Sequence, residues 1–148
     1  MRLLIDGYNV MHAKGLPARP LGPEAFRKAR TRFLNDLAAA LGPFETLEAT
    51  VVFDAATSPG ERPEQSTHKG MTIIFAVGDD SADARIERLI DEHPAPKDLT
   101  VVSSDHRLKK AAARRKARGL SADEFLSHLE SPRRTPRPTP PPATTRPP

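Results

Sequence analysis

Cysteine and tryptophan are absent from this 148-residue chain, which has one tyrosine and six phenylalanines. Without cysteine there is no disulfide and no thiolate metal site, which fits a reducing compartment. No stretch reaches the roughly 20 apolar residues of a membrane span. Met1-Arg2 leads into a short apolar run, not into the ~7–15-residue apolar segment of a signal peptide. The expectation is a soluble, cytoplasmic protein with no membrane partner. Few rings also mean few platforms on which bases can stack. Tyr8 is the one ring near the acids described below, and it either stacks a base or packs beneath its own loop. Any nucleic-acid contact is therefore expected through the phosphate backbone.

Acid is missing from one segment. Residues 131–148, SPRRTPRPTPPPATTRPP, hold four arginines, eight of the sixteen prolines and no Asp or Glu. Such a sequence builds no core and favours extended polyproline II. A domain over 1–130 and a disordered Pro/Arg-rich tail over 131–148 are the expectation. The tail accounts for the whole net charge of +4, so the body is neutral. That body is still polarised: Asp105 to Arg118 carries seven Lys/Arg and one acid, the uneven distribution that suits a nucleic-acid partner.

Each strongly apolar run ends on an aspartate. Leu3-Leu4-Ile5 meets Asp6, Val51-Val52-Phe53 meets Asp54, Ile73 to Gly78 meets Asp79-Asp80, and Leu99 to Ser104 meets Asp105. Short β-branched and apolar runs read as buried parallel strands. Between them lie helical patterns. Pro23-Glu24 opens one that ends near Leu41, with Phe26, Ala29, Phe33, Leu34, Leu37 and Leu41 on one face. Asp80 or Ser81 caps a second, carrying Ile86, Leu89 and Ile90, and a basic helix follows Asp105. Ser121 and Glu124 form a capping box for the last, with Leu120 and Phe125 as its hydrophobic staple. Pro59 to His68 reads as a loop. The order β-α-β-loop-β-α-β-α-α predicts an α/β fold: a three-layer α/β/α sandwich around a mostly parallel sheet of four to five strands.

Open α/β sheets bind ligands outside the carboxyl ends of their strands, where these acids stand. Three carboxylates about 5 Å apart repel by roughly 3 kcal/mol per pair at an effective dielectric near 20. The total, about 10 kcal/mol, rivals a domain's stability of roughly 5–15 kcal/mol. Such a cluster protonates, moves apart or binds a cation. Mg²⁺ or Mn²⁺ suits carboxylate and water oxygens, and such ions serve phosphodiester hydrolysis.

Each acid has a bland reading beside the functional one. Asp6 is a metal ligand or an Asx-type turn in which Gly7 supplies an unusual backbone angle. Asn9 fixes the Asp6 loop, contacts a metal-bound water or phosphate, or caps a turn. Asp54 starts a loop or supports the site indirectly. Asp80 is a ligand or a cap, and Asp79 is solvated. Asp83 stands three and seven residues before Ile86 and Ile90, on the buried side of its helix, where an acid needs a partner; Glu87 is the weaker candidate one turn on. Asp105 is a ligand, a helix cap, or both if one oxygen serves each role. Ser103 and Ser104 hold either a carboxylate or a bound water. For the phosphate backbone the candidates are Arg107, Lys109, Lys110 and Arg114 after Asp105, and Arg62, His68 and Lys69 before the third strand. A solvated helix face is the alternative for the first group.

Taken in order, these motifs resemble the YacP-like branch of the NYN domains, relatives of the PIN-domain ribonucleases. Leu4-Ile5-Asp6-Gly7-Tyr8-Asn9-Val10 looks like the opening of NYN domains. Val51-Val52-Phe53-Asp54-Ala55 with Gly60, the pair His68-Lys69, Asp80-Ser81-Ala82-Asp83 followed by Ile86-Glu87, Ser103-Ser104-Asp105 and Ser121 to Phe125 match the branch in turn. The resemblance covers about residues 2–130. It implies a PIN-like fold, Mg²⁺- or Mn²⁺-dependent endoribonuclease activity, and metal-site acids at Asp6, Asp83 and Asp105, with Asp54 and Asp80 supporting. In one bacterial branch such enzymes cut translated messenger RNA on the ribosome, so RNA and the ribosome are the implied partners. Three departures stand out. Ala56 replaces a frequent histidine, Arg115-Lys116 occupies an expected glycine turn before a short fifth strand, and the proline-rich end replaces a charged helix. The rival expectation is a non-catalytic RNA- or ribosome-binding module with the same fold. A haloacid-type phosphatase is disfavoured because Asp6-Gly7-Tyr8 lacks the second acid of that motif.

Overall fold

Leu4 and Ile5 are neighbours in the first strand, both fully buried, and they belong to different cores. Successive strand side chains point to opposite faces, so a sheet that buries both must be covered on both sides. The computed structural model of the chain describes residues 1–16, 23–54, 64–77 and 81–130. Its elements run β1 (Leu3–Asp6), α1 (Gly7–Ala13), α2 (Pro23–Leu41), β2 (Ala49–Phe53), β3 (Gln65–His68), β4 (Met71–Phe75), α3 (Ala82–Glu92), β5 (Thr100–Val102), α4 (His106–Arg114), β6 (Arg118–Leu120) and α5 (Ala122–Glu130). One core joins Ile5, Val51, Phe53 and Val102 to Val10, Phe33, Leu37 and Phe125, so α1, α2 and α5 cover that face. The other joins Leu4, Val52, Ile74 and Val101 to Ile86, Ile90, Leu108 and Ala111, so α3 and α4 cover the second. The three-layer α/β/α sandwich is as expected.

The sheet order is β3-β4-β2-β1-β5-β6, with β3 antiparallel to β4 and every other pair parallel. From β1 the chain adds β2 and then β4 on one side, and afterwards β5 and β6 on the other. The reversal leaves a crevice between the carboxyl ends of β1 and β5. Open α/β sheets bind ligands at such a switch point.

The sheet has six strands, one more than the expected four to five: β6 is the short fifth strand implied after Arg115-Lys116, and β3 is the addition, because it carries almost no apolar signal. Residues 65–68 lie in what the sequence suggests is a loop; Gln65-Ser66-Thr67-His68 instead pair with β4 as an edge strand. A polar edge strand resists pairing with other chains, so its function there removes the apolar pattern that would reveal it. In the three-residue β6 the pairing register runs Thr100 with Arg118 to Val102 with Leu120. Lys116, at φ 65°, takes the left-handed turn where a glycine was expected.

Local capping follows the sequence closely. The Ser121 N–H donates to Glu124 Oε1 (2.8 Å) and the Glu124 N–H to Ser121 Oγ (3.1 Å), the two halves of the capping box. Ser81 Oγ accepts from the Ala84 N–H (3.2 Å), so Ser81 caps α3. Among the described residues no helix is long and apolar enough to cross a membrane. Residues 131–148 lie outside the described residues.

Candidate active site

Asp6 is the last residue of β1, the central strand at the switch point, and only 8% exposed. Its depth follows from Gly7. A Cβ at position 7 would lie 2.3 Å from Cε1 of Phe53, so only glycine lets α1 start against β2. The alternative in which Gly7 supplies an unusual backbone angle does not hold, since its φ is not positive: it supplies space. The Ser103 hydroxyl donates to Asp6 Oδ2 (2.9 Å) and accepts from the Asp105 N–H (3.1 Å). Asp105 Oδ1 accepts from the Arg107 N–H (2.8 Å), capping α4. One chain of hydrogen bonds thus links the ends of β1 and β5.

Asn9 closes a second link. Its Oδ1 accepts from the Ser104 N–H (3.0 Å), and Ser104 Oγ accepts from the Ala122 N–H (3.0 Å) at the start of α5. That first bond is the loop-fixing contact among the readings of Asn9. Ser103, likewise, holds a carboxylate.

Burial pushes the Asp6 carboxyl up to about 6 from 3.8; the Ser103 hydroxyl opposes this, Asp83 adds to it, the Asn9 N–H opposes and Asp105 adds. Asp83, half-buried at the start of α3, is raised as well. Burial leads there, followed by contact with the Asp105 carboxyl and its charge; Arg107 pulls the other way and Glu87 adds to the rise. The site is therefore a carboxylate pair, Asp83 and Asp105, with buried Asp6 coupled electrostatically to both. Among the described residues no three His, Cys, Asp or Glu side chains form a ready-made metal cage. An all-oxygen pair still suits Mg²⁺, which is ordinarily held by one or two carboxylates and keeps several waters. The raised carboxyls mark a place where a cation relieves both burial and repulsion. Ser103→Ala removes the strongest force holding Asp6 down and is expected to move its carboxyl above 6, read by a carboxyl-resolved NMR titration; an unmoved titration would show that the hydroxyl does not tune this acid.

Other expected residues fall elsewhere. Asp54 follows β2 at the same edge of the sheet and is half-buried. Asp79, Asp80 and Arg62 lie outside the described residues. His68 bonds Asn35 Oδ1 through Nε2 (2.7 Å), and Lys69 sits in the β3–β4 turn at the amino end of β4. That is the end of the sheet opposite the acids, so these two are not brought to the site. Burial, then the Lys69 charge, lowers the His68 ring. Tyr8 packs between Phe26 and Phe53, with centroids at 5.2 and 4.8 Å, and its hydroxyl accepts from Arg30 (3.2 Å). It belongs to the core side of the loop.

The basic helix divides its labour. Arg107 is clamped on Glu87 through Nε (2.7 Å) and Nη2 (3.0 Å). Arg115 donates to the Ile90 and His93 carbonyls (2.9 and 3.2 Å) and to that of Asp91, satisfying the carboxyl end of α3. Lys110 and Arg114 are exposed and Lys109 half-buried. The Glu87–Arg107 pair is the feature that sequence reasoning missed: its partners are 20 residues apart, and no local pattern announces such a contact.

A family model described as YacP-like NYN domain matches residues 3–138. The crystal structure of Rae1 (YacP) from Bacillus subtilis is similar to this chain at 27% identity and a TM-score of 0.61, over 88% of this chain and 74% of that one. A point mutant of the same protein gives 28%, 0.60, 88% and 76%. No curated protein matches the chain. NYN domains are RNase-like, which makes RNA the substrate class the family implies. Matched over nearly all of its described residues, the chain belongs to the YacP-like NYN domain family.

Proposed function

We propose that this chain is a cytoplasmic, divalent-metal-dependent endoribonuclease. The observation that carries the reading is the Asp83–Asp105 carboxylate pair beside buried Asp6 at the sheet's switch point. Asp83, Asp105 and Asp6 would hold Mg²⁺ or Mn²⁺, with Asp54 and Asp80 supporting. When bound, the ion supplies an activated water and charge stabilisation for phosphodiester hydrolysis. Asn9 and Ser103 hold the two strand ends in register, so the carboxylates keep one arrangement while RNA comes and goes. α3 and α4 each begin at the carboxyl end of the sheet, where the positive end of a helix dipole favours phosphate. Lys109, Lys110 and Arg114 hold the RNA backbone, and such binding weakens as salt rises. Contacts by His68 and Lys69 are remote from the cut.

Cleavage is expected to stop in EDTA and to return with Mn²⁺ or Mg²⁺, and Asp83→Asn is expected to prevent the return. Gel analysis of a labelled RNA checks both; cleavage that survives EDTA removes the metal from the proposal. The exposed Lys110 and Arg114 would serve as well in a second reading, a non-catalytic RNA- or ribosome-binding module. It predicts RNA binding that ignores EDTA and no cutting at any metal concentration. The finer substrate, a message under translation on the ribosome, rests on the family resemblance, and cleavage of translating against naked RNA decides it.

A further inference from the structure

The outer ends of α3 and α4 carry the two facing carboxylates, and one ion pair crosses between the helices beside them. Glu87 stands one turn beyond Asp83 on α3. Arg107 is the residue whose backbone N–H is capped by Asp105 Oδ1 (2.8 Å). The guanidinium grips Glu87 with two parallel bonds, Nε to Oε2 at 2.7 Å and Nη2 to Oε1 at 3.0 Å. The connections close a ring: Asp83, one turn of α3, Glu87, Arg107, Asp105, and back to Asp83. Resting on the metal-centre reading, we infer that the Glu87–Arg107 pair is a strut that sets the spacing of Asp83 and Asp105 for a divalent cation.

The ordinary reading of such a pair is a surface ion pair of little consequence. Arg107 and Glu87 have side-chain exposures of 50% and 26%, so their effect on global stability is small. Geometry gives the pair a different job. Two carboxylates in contact repel and tend to separate. Ile86, Ile90, Leu108 and Ala111 pack α3 against α4 in one core, but the acids sit at the helix starts, above that packing. The planar fork of arginine fixes both distance and angle to a carboxylate, whereas lysine supplies only a mobile point charge. In this role Arg107 and Glu87 act through Asp83 and Asp105, as positioning residues.

Positioning and simple charge predict opposite results. Removing Arg107 takes a cation away from a cation site, so on charge alone Arg107→Ala should bind Mn²⁺ more tightly, and Arg107→Lys should match the wild type. A strut predicts that both bind more weakly, by roughly tenfold, the low end for residues that orient metal ligands. The experiment is calorimetric titration of Mn²⁺ into the full chain, wild type beside Arg107→Lys, Arg107→Ala and Asp83→Asn, with circular dichroism confirming that each is folded. Weaker binding by both Arg107 variants supports the strut. Binding by either as tight as wild type, with Asp83→Asn still defective, overturns the strut and leaves the metal centre standing. Absence of Mn²⁺ binding by the wild type overturns the metal centre and the strut together.

Discussion

Asp6→Asn is expected to abolish cleavage and, at neutral pH, to make the folded protein more stable. The carboxyl of Asp6 titrates near 6 in the folded protein against 3.8 as a free side chain. An acid raised in this way binds its proton more tightly folded than unfolded. Its ionisation therefore carries no cost below about pH 4, a growing cost between about 4 and 6, and a constant one above. At roughly 1.4 kcal/mol per pKa unit, the full cost is about 3 kcal/mol. Asparagine keeps an oxygen to accept from the Ser103 hydroxyl but brings an NH₂ that needs a partner, which costs about 1–3 kcal/mol if none is found. The net gain expected above pH 7 is therefore about 0–3 kcal/mol, largest if the NH₂ finds a partner and vanishing or reversing near pH 4. Urea unfolding of both proteins at pH 4.5 and 7.5 reads it directly. Mn²⁺ should stabilise the wild type by about 2–3 kcal/mol at a hundredfold excess over its dissociation constant, and the variant far less. Cleavage should fall by more than the roughly 10–100-fold that residues which merely orient metal ligands are worth. A variant less stable than wild type at pH 7.5 would mean that Asp6 is held by bonds that offset its burial.

The second large effect is structural. Gly7→Ala looks favourable by local rules, because alanine is the better helix former by about 1 kcal/mol. The new methyl would stand 2.3, 2.6 and 2.9 Å from three atoms of the Phe53 ring. That ring cannot yield: it is fully buried, with Tyr8 at 4.8 Å and Phe75 stacked at 5.5 Å. Overpacking of this kind costs about 1–3 kcal/mol. Gly7 adjoins Asp6, so the shift that relieves the clash also moves the carboxylate. The expected result is a loss of about 1–3 kcal/mol in urea unfolding together with weaker Mn²⁺ binding. Adding Phe53→Leu should restore part of the stability, because the two side chains contend for one space. A Gly7→Ala protein as stable as wild type would show that the ring has room to move.

Much of this was legible because the relevant signals are local. Capping of α5 by Ser121 and Glu124 spans four consecutive residues. The face of α2 repeats within one helix. The aspartates end apolar runs because a parallel sheet directs every strand the same way, so strand-end acids gather at one edge without further instruction. What escaped depends on contacts far apart in the chain or on a missing pattern. The edge strand β3 has no apolar residue to betray it. Lys116 occupies a left-handed turn usually given to glycine. Gly7 proved to be about the position of Phe53, 46 residues away, and the Glu87–Arg107 clamp joins two helices whose sequences say nothing of each other. His68 and Lys69 read as companions of the site because they precede a strand, but hairpin geometry sends them to the other end of the sheet.

The pairing of β1 with β5 has a consequence for synthesis. Asp6 is made well before its partners: Ser103, which bonds it, and Asp105, which completes the carboxylate pair, come about a hundred residues later. Contacts so distant in sequence form late in folding, and during synthesis they cannot form before β5 exists. A chain interrupted anywhere before that strand carries Asp6, with or without Asp83, but never the Asp83–Asp105 pair. On the proposed mechanism, copies truncated before β5 lack the metal site and would leave the RNA around them uncut.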